Sequence, residues 1–142
     1  MHNQQQRLSG PAARAAAAAC LAVALAGCGS LSTVAPEGTA DRPVFPDASR
    51  ATVKDGAWPN PDNLRSVRAG MSKAQLYALL GTPHFSEGLI GVREWDYLFH
   101  LQSKDGPILC QYKVLFDQDR LARTFLWKPA SCADALGQAD GS

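Results

Sequence analysis

Histidine, cysteine and methionine are scarce in this 142-residue chain, at three, four and two copies, and aromatic residues make up 8% of it. That scarcity excludes much chemistry. His84 and His100 are the histidines beyond the extreme N-terminus, and neither has Cys, His or carboxylate neighbours at metal-ligand spacing, so no metal site is expected. No glycine-rich loop has the spacing of a phosphate cradle. Apolar runs are short, the longest covering residues 15–26, below the ~18 residues that argue for a membrane-spanning helix. The formal net charge is +1, too small to support nucleic-acid binding. There is no internal repeat. These absences leave no reason to expect a cofactor or an enzyme.

What is present begins with an export signal. Arg7 and Arg14 precede the small, apolar run at 15–26. The run ends in Leu25-Ala26-Gly27-Cys28, which resembles the lipobox of bacterial lipoproteins. That resemblance implies a signal peptide at 1–27, cleavage before Cys28, and a thioether-linked diacylglycerol with an N-acyl chain such as palmitate on Cys28. At about 0.8 kcal/mol per buried methylene, several chains make a durable anchor. Cys20 is the poorer acylation candidate, because it follows three alanines and would halve the apolar run. Gly29 stands where an Asp would signal retention in the inner membrane. The expected location is therefore the outer membrane, lipid-anchored and facing the periplasm.

Residues 28–57 read as a lipidated flexible tether, rich in Ser, Thr, Ala and Pro and without apolar periodicity. Such a segment would span about 30 Å end to end. The folded domain is expected at 58–132. Asn60-Pro61-Asp62 supplies an N-cap, a proline at the first helical position and an early acid, Leu64 and Val67 an apolar face, and Gly70 the stop. Ser72 and Gln75 match a capping box, Met71 and Leu76 a hydrophobic staple, and Leu76, Leu79 and Leu80 an inward face ended by Gly81 and Pro83. The period then becomes alternating. Trp95, Tyr97, Phe99 and Leu101 share one strand face, and Glu94, Asp96 and His100 share the other, read as exposed. Cys110, Tyr112, Val114 and Phe116 line a second strand, and Asp117–Arg120 turns into a third ending at Trp127. The fold class is α+β, two short helices packed on a three-stranded antiparallel meander (ααβββ). Residues 133–142 read as a frayed tail.

Candidate site residues are few. With Cys20 cleaved away and Cys28 acylated, Cys110 and Cys132 are left in an oxidising compartment, where two free cysteines usually pair, so a disulfide is expected, the alternative being two buried thiols. A core of roughly 75 residues sits where burial alone is marginal, so a crosslink would help. Glu94 and Asp96 could pass for a catalytic carboxylate pair, but alternate strand positions read as solvent-facing charges. Trp95, Tyr97, Phe99 and Phe125 read as core packing before a stacking platform. Phe85, Leu89 and Ile90 lie outside the periodic segments, near Gly88 and Gly91. They form either a partner-contact loop or a cover for the open end of the core.

A connected pattern resembles the SmpA/OmlA, or BamE-like, family of outer-membrane lipoproteins: Gly70-Met71-Ser72, Gln75-Leu76 and Leu79-Leu80-Gly81-Thr82-Pro83, then Trp95 with Tyr97, then Val114, Phe116 and Asp117. The likeness runs over about 64–127. It implies the ααβββ fold and a scaffold role in outer-membrane β-barrel assembly, binding partner assembly subunits and an anionic phospholipid, phosphatidylglycerol. Two departures stand out. Ala57-Trp58-Pro59-Asn60 replaces the family's polar Gln-Gly-Asn segment, and the Cys110 and Cys132 pair is foreign to the pattern. The competing expectations are an envelope lipoprotein outside the assembly machine and a periplasmic inhibitor that inserts a loop into an enzyme.

Overall fold

The computed structural model describes residues 31–86, 88 and 91–137. Cys20, Cys28, Leu89 and Ile90 lie outside the described residues. Local chemistry sets the helices. The Asn60 side chain accepts from the N–H groups of Asp62 and Asn63, and Pro61 opens α1, Pro61–Arg65. This helix stops short of the expected end at Gly70. The Ser66 hydroxyl donates to the Asp62 carbonyl at 2.7 Å, a local bond that competes with continued helix. Gly70, at φ 91°, instead gives its N–H to the Ala122 carbonyl at 2.7 Å, docking the chain on the sheet. In α2, Lys73–Leu80, the capping box is reciprocal: Ser72 Oγ accepts from the Gln75 amide and Gln75 Oε1 from the Ser72 amide.

Strands β1, Glu94–Ser103, β2, Gly106–Phe116, and β3, Ala122–Lys128, form an antiparallel meander in the order β1-β2-β3. This is the expected α+β architecture. Tyr97 pairs with Tyr112 and Val114 with Phe125. Tyr97, Phe99, Tyr112, Val114 and Phe116 bury one sheet face against Leu64 and Leu76. Tyr97 and Phe99 stack at 5.1 Å, which makes them core residues rather than an open platform. Asp117 organises the β2–β3 turn, with Oδ1 accepting from Asp119 and Leu121 and Oδ2 from Arg123 Nε at 2.5 Å. The Arg123 bond first, then the Leu121 amide, hold its carboxyl below the ordinary range.

Two further segments depart from expectation. The tail is not frayed through its described part: Cys132–Gly137 forms α3, with Ala135 buried. A disulfide joins Cys132 to Cys110, drawing the helix onto the core face. The second departure is the tether. Its described residues, 31–57, form a strap across the other face of the sheet. The Ser32 amide donates to Glu94 Oε1 at 2.6 Å, and Gln111 Nε2 to the Pro46 carbonyl at 2.6 Å. Arg93 donates to the Ala35 carbonyl and Thr124 to that of Gly38, each at 2.6 Å. Gly38 has φ 84°, and a Cβ there would come within 2.7 Å of Arg123 Cβ. The strap needs no apolar periodicity because it is held by its backbone groups, which buried polar side chains of the sheet satisfy.

Candidate partner-binding surface

Under the strap lies a charged cluster. Lys113 Nζ donates to Glu94 Oε2 at 2.5 Å and to Asp96 Oδ2 at 2.8 Å, and the three side chains are 0%, 3% and 2% exposed. Phe45 of the strap sets its ring 5.5 Å from the ammonium. The expectation that Glu94 and Asp96 face solvent is thus corrected: the register puts Lys113 directly opposite Asp96, and the strap excludes water. These carboxylates are ion-pair partners, closed to a substrate. Their attraction to Lys113 is offset by desolvation of all three charges, so the cluster fixes how strap and sheet meet more than it adds net stability.

In the described part of the loop after α2, His84 and Phe85 are also turned inward. Phe85 is 6% exposed, so the reading of Phe85 as a contact residue gives way to the cover reading. His84 donates its amide to the Asp96 carbonyl at 2.9 Å, while its Nδ1 accepts from the Leu98 amide at 2.9 Å. Burial pushes its imidazole below the ordinary value, opposed in part by the nearby Leu98 carbonyl. Ala57 continues this edge, giving its N–H to the Leu98 carbonyl and accepting from the His100 amide. Trp58, 61% exposed, stacks on His100 at 5.1 Å. The outer edge of β1 is therefore occupied from Asp96 to His100.

The edge of β3 is different. Since Asp96, Leu98 and His100 direct their backbone groups outward, β1 meets β2 through its odd positions, and β2 meets β3 through Gln111, Lys113 and Leu115. Their partners on β3 are Lys128, Leu126 and Thr124. Phe125 and Trp127 then turn their N–H and C=O groups away from the sheet, and among the described residues no backbone segment bonds them. Nearer the strand start the edge is taken, by Ala122 with Gly70 and Met71.

Beside the open edge runs an apolar groove of about 390 Å³. Tyr112, Phe125 and Trp127 form its floor, Leu64 of α1 with Val67 just beyond it one wall, and Ala133 and Leu136 of α3 the other. Tyr112 lies 4.3 Å from Trp127 and 6.3 Å from Phe125 between ring centroids. Burial raises the Tyr112 phenol far above its usual range. Arg65 Nε donates to the Leu136 carbonyl at 3.1 Å, so the two walls are bonded to each other, and the disulfide anchors the second wall to β2. A strand edge beside an aromatic floor suits an extended peptide: the edge offers backbone bonds, and the groove takes alternate side chains. Sequence reasoning had Phe125 and Trp127 on the last strand but not as a site. The signal was topological, since the final strand of a meander is an edge strand.

Among the described residues no helix is long and apolar enough to cross a membrane. Residues 56–125 match the family model of the outer membrane protein assembly factor BamE domain. The match takes in α1, α2, β1, β2 and the first part of β3, and α2, β1 and β2 are the elements that carry the resemblance in the sequence. Residues 56–125 are thus a BamE domain, the domain of an outer membrane protein assembly factor.

Proposed function

We propose that the chain is a non-catalytic scaffold in outer-membrane β-barrel assembly, anchored by acylated Cys28 after removal of residues 1–27 and facing the periplasm. The BamE domain gives the setting, and the observation that carries the binding role is the open edge of β3 beside the groove floored by Tyr112, Phe125 and Trp127. A partner assembly subunit contributes an extended apolar segment that adds to this edge. Large aromatic side chains at the centre of such a contact hold most of its binding energy.

The test is a mild-detergent pull-down of the acylated protein from its own envelope, with Cys28→Ala as the anchoring control and Trp127→Ala as the surface variant. Assembly subunits are expected with the parent protein and depleted with Trp127→Ala. Trp58 favours a second reading, an envelope lipoprotein outside the machine, because this exposed ring replaces the family's polar segment. Recovery of other envelope proteins, lost on Trp58→Ala and retained on Trp127→Ala, would select that reading.

A further inference from the structure

The strap changes how far an anchored domain can stand from its lipid. Resting on the acylation of Cys28, we propose that the domain lies directly against the lipid surface, with the corner formed by Leu31, Ser32, Gly91 and Val92 turned towards it. Ser32 is docked twice, by its amide to Glu94 Oε1 at 2.6 Å and by its hydroxyl oxygen, which accepts from the Val44 amide at 2.8 Å. Beyond Ser32 the chain is fixed again where Ala35 accepts from Arg93 and Pro36 accepts from the Gln118 amide. The step from Cys28 to the docked Ser32 is four residues long. Fully extended, that step covers at most about 14 Å. Acyl chains in the hydrocarbon hold Cys28 at the headgroup boundary, and the headgroup layer, some ~6 Å deep, takes up part of that length. The domain corner is left within about 8 Å of the lipid surface.

The chemistry of the corner fits. Leu31 is 49% exposed, and with Ser32, Val34 and Gly91–Glu94 it lines a shallow cleft of about 140 Å³. The carboxylate in that lining, Glu94, is buried against Lys113 and presents no charge to an anionic headgroup. The β1–β2 hairpin at Lys104 and Asp105 lies at the far end of the ten-residue strand β1, about 30 Å away. A leash this short sets the height of the partner-binding edge over the membrane, where a 30-residue tether would let it range.

The experiment places the full-length acylated protein in nanodiscs of phosphatidylethanolamine and phosphatidylglycerol that carry a nitroxide-labelled lipid, and reads the broadening of backbone amide resonances. Leu31, Ser32, Gly91 and Val92 are expected to broaden severalfold more than Lys104 and Asp105. Inserting about twenty Gly and Ser residues between Gly29 and Ser30, worth about 25 Å of reach, should flatten that gradient without touching the strap. A flat profile in the unmodified protein, or a maximum at the hairpin, would overturn the inference. The mass of the N-terminal peptide separates the two levels: acylated Cys28 with a flat profile sinks this proposal alone, while unmodified Cys28 sinks the anchor reading and this proposal with it.

Discussion

The two faces of one three-stranded sheet are covered by opposite means. Against the first, α1, α2 and α3 bury Tyr97, Phe99, Tyr112, Val114 and Phe116, a face assembled from apolar area and closed by a disulfide. Against the second, a strap without regular structure beyond one 3-10 turn at Ala48–Arg50 meets Glu94, Asp96, Gln111 and Lys113 through hydrogen bonds and ion pairs. Apolar cover tolerates approximate fit, since its free energy scales with area. Polar cover does not: each group needs its partner, and losing one strands the rest.

The sharpest way to break the comparison is Lys113→Met, which leaves two buried carboxylates without their cation and should cost about 3–5 kcal/mol in denaturant unfolding. Replacing Lys113, Glu94 and Asp96 together by Met, Leu and Leu should restore stability to near the parent value or above it, because the desolvation cost goes with the charges. On the apolar face the matching change is loss of the disulfide. Cys110→Ala with Cys132→Ala frees α3 and should cost about 2–4 kcal/mol, with the groove wall around Leu136 losing protection in hydrogen exchange. The helix caps come next, Asn60→Ala and Ser72→Ala each lowering stability by about 1 kcal/mol.

The smallest effect is the titration of His84, where the two covers meet. Its folded pKa is depressed by burial, so the unfolded chain takes up the proton first. The His84 contribution is full above the unfolded value of about 6.5 and is lost as pH falls through the lower folded one. Stability should decline as pH is lowered through that window, and His84→Gln should remove this part of the slope.

Legibility from the sequence followed the same division. The capping box of Ser72 and Gln75, the alternation of Trp95, Tyr97 and Phe99, and the turn at Asp117 are local, and local chemistry suffices to read them. The strap depends on contacts such as Ser32 to Glu94 and Gln111 to Pro46, separated by 62 and 65 residues, which leave no periodic trace in a stretch rich in proline and small residues. Glu94 and Asp96 were misplaced for the same reason. A lysine set within the apolar run of β2 was the available clue, because register brings Lys113 opposite Asp96. α1 ended early because Ser66 found a local partner. The open edge followed from strand order, whereas the groove beside it required α3, a six-residue helix after the last strand with Leu136 as its one large apolar side chain.

Both covers leave β3 uncovered at Phe125 and Trp127, and that gap is the core of the functional account. Site-specific photo-crosslinking in living cells tests it most directly, with a photoreactive residue at position 127 and, as the comparison, at position 104 in the far hairpin. The account predicts adducts with outer-membrane assembly subunits from position 127 and none from position 104. Adducts from position 104 with position 127 silent would contradict it.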